Sequence, residues 1–172
     1  MTYPPFANSL PADPIFHLLS RRLPIGTDRG EIHVRSANDG TTLWKERCHD
    51  GEVWAVAFSP DGKLVASGAT ALKLWDARTL KELATLDGHK APIMGIAFSP
   101  DGKTLATASL DHTVKLWSVE IRQEVATLKG HRGPVSGLAF SRDGTLLVSS
   151  SQDKTIRLWR AVAEEAVRTG GD

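Results

Sequence analysis

The chain has 172 residues, 41% of them hydrophobic and 24% charged, a balance that suits one ordinary domain or a short repeat array and argues against wholesale disorder. Its 21 Lys and Arg nearly cancel its 20 Asp and Glu, so the net charge is only +1 and no strong field draws it to nucleic acid or anionic lipid. The longest clean apolar run, Val53 to Phe58, is too short to span a membrane, and the single cysteine, Cys48, excludes an internal disulfide framework and any Cys-based zinc site.

Residues 1–14 carry four prolines (Pro4, Pro5, Pro11, Pro14) and read as an extended leader. The leader has neither a basic n-region nor an apolar h-region, so no secretory signal is expected and the protein is expected to be soluble and cytoplasmic. Residues 15–48 give a weak signal that gains meaning only beside the rest of the chain. From His49 onward the chain repeats itself. VWAVAFSPDGKLVAS from Val53, IMGIAFSPDGKTLAT from Ile93 and VSGLAFSRDGTLLVS from Val135 superimpose, and each leads to a Leu-Trp pair ending at Trp75, Trp117 or Trp159. A histidine (His49, His89, His131) stands four residues before each first aliphatic. The histidines step by 40 and 42, the phenylalanines Phe58, Phe98 and Phe140 likewise, and the tryptophans by 42 and 42, which chance does not keep in phase.

Inside one unit the period is that of strands. Ile93 to Phe98 is a short apolar run bounded by Ser99-Pro100-Asp101-Gly102, and Asp-Gly is a strong hairpin signal. Lys103 to Ser109 is a second strand, Thr113 to Trp117 a third and Gln123 to Leu128 a fourth, closed by Gly130. Four short antiparallel strands in so few residues leave no room for a helix.

Gly88-His89 and Gly130-His131, then Ser-Pro-Asp-Gly, then Asp111 or Asp153, then Leu-Trp: this order of markers resembles the WD-repeat β-propellers. The resemblance implies an all-β fold built of four-stranded antiparallel blades, and it organises the rest of the chain. Residues 15–48 look like a degenerate or incomplete first blade, with the turn Gly26 to Gly30, a fourth strand over Thr41 to Arg47, and Arg35 where the family has Trp. Residues 49–87 form a blade with a shortened turn, 88–129 a regular blade, and 130–172 a last blade with a weak fourth strand and a tail. In the 49–87 blade Ala69-Thr70-Ala71 replaces the longer turn, the Asp is missing, and Phe58 to Trp75 spans 17 residues against 19 in the other two. The chain holds about four blades at most, at the lower limit for a ring. A partial propeller, or half of a ring made by two copies, is therefore expected.

Recurrent His, Ser or Thr, and Asp invite a catalytic reading as nucleophile, base and acid. Repetition argues against it, because catalysis needs one such set and the chain carries two and part of a third. The resemblance instead implies a structural hydrogen-bond network made of His49, Ser67 and Trp75, then His89, Thr107, Asp111 and Trp117, then His131, Ser149, Asp153 and Trp159. No histidines pair at metal-ligand spacing and the glycines belong to turns rather than to a phosphate loop, so no metal and no cofactor are expected.

The function implied is a non-catalytic scaffold for protein or peptide partners, with nucleic acid and membrane excluded as defaults. By resemblance, Trp54, Met94 and Ser136 line the central opening, and Glu52, Lys90, His112, Arg132 and Lys154 form a mixed-charge rim on the partner-contacting face. Two alternatives stand beside it: a C-terminal piece of a longer multidomain propeller protein, and an enzyme built on a propeller, for which no unrepeated polar cluster is visible. Self-association, most simply as a homodimer, is expected from blades left open at both ends.

Overall fold

The computed structural model describes residues 22–160, and every regular element in that stretch is a β-strand. The first sheet holds β1 (Arg22–Gly26), β2 (Glu31–Ser36) and β3 (Thr42–Arg47) in that order. The second holds β4 (Ala55–Phe58), β5 (Leu64–Gly68), β6 (Leu72–Asp76) and β7 (Glu82–Leu86). The third repeats it with β8 (Ile93–Phe98), β9 (Thr104–Ser109), β10 (Val114–Ser118) and β11 (Gln123–Leu128). The last contains β12 (Val135–Phe140), β13 (Leu146–Ser151) and β14 (Ile156–Arg160). All pairings are antiparallel between sequence neighbours, so each sheet is a meander.

Turn chemistry sets these boundaries. Asp101 accepts the Lys103 amide and Asp111 accepts the Thr113 amide. Lys103 and Thr113 therefore belong to turns, and β9 and β10 each begin one residue later than the sequence pattern predicts. The hairpins after the innermost strands close alike, with Ser59, Ser99 and Ser141 hydroxyls bonded to Asp61, Asp101 and Asp143. Gly62, Gly102 and Gly144 take φ near +70° there, a conformation that suits glycine.

Sheets stack face to face through apolar clusters. Ile32 of β2 packs with Val53, Val65 and Trp75; Leu72 and Leu74 of β6 pack with Ile93, Leu105 and Trp117; Val114 of β10 packs with Val135 and Leu147. The contacts thus join β2, β6 and β10 each to the sheet that follows, and each fully buried aliphatic contributes about 1.5–3 kcal/mol. The innermost strands converge closely. A Cβ added at Gly95 would lie 2.8 Å from the Ser136 carbonyl oxygen, so only glycine fits. Met94 and Ser136 sit where the first-to-second strand register slips, between Ile93 and Gly95 and between Val135 and Gly137.

The ends of the array are open, and the sheets do not close into a ring. At the last sheet Ile156 and Leu158 are 71% and 69% exposed, whereas their counterparts Leu72 and Leu74 are 0% and 2% exposed. At the other end Leu23 and Ile25 are exposed on the first sheet. β3 pairs along β2 as the outer strand of the first sheet. The expected leader at 1–14 and the weak fourth strand at 161–168 lie outside the described residues.

Candidate functional site

Two kinds of loop share one edge of the stack: those entering each sheet and those joining its second and third strands. Backbone bonds from His49 to Gly30, from Leu110 to Pro92 and from Gln152 to Pro134 tie them together. The tight hairpins and the third-to-fourth strand turns occupy the opposite edge, joined by Ala77 to Lys63 and Val119 to Lys103.

Behind the first edge lie the recurrent polar residues. In the third sheet the Trp117 indole donates to Thr107 Oγ1 at 2.8 Å, Thr107 meets His89 Nε2 at 2.7 Å, and His89 Nδ1 meets Asp111 Oδ2 at 2.7 Å. The last sheet repeats this with Trp159 to Ser149 at 2.9 Å, Ser149 to His131 at 2.8 Å and His131 to Asp153 at 3.0 Å. An indole can only donate, so the hydroxyl oxygen accepts from it and gives its own proton to Nε2. The imidazole is then neutral with its proton on Nδ1, which donates to the carboxylate. Each proton in the relay thus has one acceptor.

Asp111 and Asp153 also gather the amides of Lys90 and Arg132 and the hydroxyls of Thr113 and Thr155. Burial raises the Asp111 pKa, but the bonds from Thr113, Lys90 and His89 outweigh it and hold the carboxyl at about 2. Asp153 is held low chiefly by the Thr155 hydroxyl and the Arg132 amide. Burial pushes His89 below its ordinary value, although Asp111 opposes it.

The second sheet departs from this pattern. Trp75 donates to Ser67 at 2.8 Å and Ser67 meets His49 at 2.7 Å, but the shortened turn brings no carboxylate to Nδ1. Burial, with Lys73 adding to it, pushes His49 down to about 4. The first sheet has no such network among the described residues. Ile25 lies where Ser67 and Thr107 lie in their sheets, and Arg35 lies where Trp75 lies.

The geometry resembles a hydrolase triad in its distances but differs in access. Ser67, Thr107 and Ser149 are 0% exposed, and a Trp indole already occupies each oxygen. A substrate cannot approach these hydroxyls.

The remaining residues singled out from sequence lie in the loops entering the sheets, in the second-to-third strand turns and on the first strands. Glu52, Trp54, Lys90, His112, Arg132, Ser136 and Lys154 are exposed, and Met94 is half-buried. His112 and Lys154 hold positive φ of 69° and 66° in equivalent turns. Sequence reasoning missed the pairs Lys73–Glu82 and Lys115–Glu124, each at 2.8 Å, which join third to outer strand. Their signal was present: each Lys precedes its Trp by two and each Glu follows by seven. Arg157 occupies the same place in the last sheet, and its buried Nε has no partner among the described residues. The cleft of about 530 Å³ between the third and last sheets is lined by Leu116, Leu128, Phe140, Leu147 and Trp159. Cys48 is unpaired and buried, and burial raises its thiol to about 11. Among the described residues no group of His, Cys, Asp and Glu could hold a metal ion, and no helix is long and apolar enough to cross a membrane.

Comparison with known proteins agrees with this architecture. The family model for the WD domain, G-beta repeat, matches residues 40–76, 80–118 and 122–160. Each matched segment starts before or at an outer strand and ends on the third strand of the next sheet, so one repeat straddles two blades. Over 92 residues the chain is 33% identical to WD repeat-containing protein 90 of Mus musculus, covering 52% of this chain and 5% of that protein. Over 91 residues it is 31% identical to pre-mRNA-processing factor 19 of Oryza sativa subsp. japonica, covering 52% of this chain and 15% of that protein. The chain thus matches only a small part of the length of these relatives. With more than half of its residues matched, it belongs to the WD-repeat family.

The neutral imidazole fixes the sign of the pH dependence. The unfolded chain binds a proton at His49 near its ordinary 6.5, and the folded chain refuses it until about 4. Stability is therefore expected to fall as pH drops between those values, with His89 acting in the same direction; Asp111 adds a loss between 3.8 and about 2. Melting curves at about pH 7.5 and about pH 4.5 are expected to differ less for His49→Asn than for the parent chain, and equal differences would contradict the assignment.

Proposed function

We propose that this WD-repeat chain is a non-catalytic scaffold that holds a protein or peptide partner on the loop-bearing edge. The observation that carries the reading is Trp54, a large aromatic 51% exposed in the loop that leads into β4. Such a side chain, with exposed Glu52, Lys90 and Arg132 on loops of the same edge, has the character of an interface anchor with a polar rim. The polar residues that could support a reaction are spent on one another, which supports binding over catalysis. A cytoplasmic location belongs to this reading, supported by Cys48, a lone buried thiol.

Displayed peptides selected on the immobilised protein are expected to lose about tenfold or more in affinity on Trp54→Ala, with an unchanged melting temperature. Binders indifferent to both Trp54→Ala and Met94→Ser would contradict the reading.

A second reading concerns assembly, and the exposed pairs Ile156–Leu158 and Leu23–Ile25 support it. These are faces of the kind that neighbouring sheets bury, so a second copy, or further blades of a longer chain, can cover them. Light scattering at micromolar concentration is expected to give a dimer for the first case and non-closing oligomers for the second. A monodisperse monomer that melts in one sharp transition would contradict both.

A further inference from the structure

The second sheet contains a set of donors that its neighbours satisfy and it does not. In the third sheet Asp111 accepts from His89 Nδ1 and from the Lys90 amide at 3.0 Å, and in the last sheet Asp153 accepts from His131 Nδ1 and from the Arg132 amide at 2.8 Å. The corresponding donors of the second sheet are His49 Nδ1 and the Asp50 amide. Neither has a hydrogen-bond partner among the described residues.

The cause is the three-residue connection Ala69-Thr70-Ala71, which stands where the third sheet has the five residues Ser109 to Thr113. The shortening opens a cleft of about 470 Å³ over these donors, lined by Arg47, His49, Asp50, Thr70, Ala71 and Lys73. Beneath His49, the buried Ser67 receives the Trp75 proton and must therefore pass its own to His49 Nε2, which leaves the remaining imidazole proton on Nδ1. The donor is thus present and oriented.

The charges around the cleft cancel, so the two unpartnered donors, and not a net charge, carry the recognition. Lys73 is a cation bonded to Glu82, Arg47 is an exposed cation, and Asp50 is the exposed acid whose side chain makes no bond to His49. The cleft lies on the same edge as Glu52 and Trp54, in the loop that leads into β4.

We propose that this cleft receives an aspartate or glutamate side chain of the partner, held by His49 Nδ1 and the Asp50 amide as Asp111 and Asp153 are held in the neighbouring sheets. The shortened turn thus acts as a carboxylate receptor rather than only a defect. The proposal rests on the reading of this edge as the partner-contacting face and names the chemistry recognised there.

NMR of the full chain tests it, with N-acetyl-aspartate N-methylamide as the probe and its asparagine analogue as the control. The His49 ring and Asp50 amide resonances are expected to move saturably at millimolar aspartate probe, while the asparagine analogue binds at least about tenfold more weakly. His89, which already holds Asp111, serves as an internal reference and is expected to stay still. Replacing Ala69-Thr70-Ala71 with the sequence Ser-Leu-Asp-His-Thr of the third sheet is expected to raise the melting temperature and abolish the response. No shift at about 10 mM probe, equal shifts with both probes, or movement of His89 alongside His49 would overturn the proposal. Loss of peptide binding on Trp54→Ala with no response to the aspartate probe would sink this proposal alone and leave the scaffold reading standing.

Discussion

A single hydroxyl oxygen stands at the centre of each well-formed sheet. Ser67, Thr107 and Ser149 each accept a proton from a tryptophan on the third strand and give one to a histidine in the loop that enters the sheet. Being wholly buried, such an atom cannot trade these partners for water, so losing either leaves a stranded polar group at about 1–3 kcal/mol. The position of the Trp, the rotamer of the His and the path of the entering loop are all constrained through it. The apolar contacts between sheets then form around it, since Trp75 and Trp117 present their rings to the previous sheet.

The same constraint separates scaffold from surface. Because the network consumes the polar groups behind the loop-bearing edge, that edge can vary without disturbing the stack. In the third sheet the turn carries an Asp that closes the network; in the second the turn is shorter and the donors face a cleft. The first sheet abandons the network with Ile25 and Arg35 and relies on Ile32 and on backbone bonds from Cys48 and His49 to Gly30. Order within the array thus declines from complete network to none.

Most of the fold is legible in the sequence because its signals are local and repeated. β8 and β11 coincide with the predicted strands, β8 because Pro92 and Pro100-Asp101-Gly102 punctuate its two ends and β11 because Gly130 follows it closely. The first sheet was visible only through the family pattern, since Arg35 and Ile25 remove the markers that would announce it. The shortened turn could be counted from the spacing of Phe58 and Trp75. What it does to His49 Nδ1 and the Asp50 amide could not, because donor direction is a property of the folded loop. The Arg157 Nε, without a partner among the described residues, was equally hidden: its meaning comes from comparing it with Lys73 and Lys115, whose Glu partners lie on outer strands.

A double-mutant cycle on Thr107→Val and Trp117→Phe tests the central claim most directly, since each change removes one side of the buried bond and the volume that Trp117→Phe loses cancels in the cycle. Each single variant is expected to cost about 1–3 kcal/mol by urea unfolding, and the double variant distinctly less than the two together, because each substitution removes the partner the other strands. Strictly additive losses would mean that the hydroxyl is not coupled to the tryptophan, and the buried relay could not then be what organises each sheet.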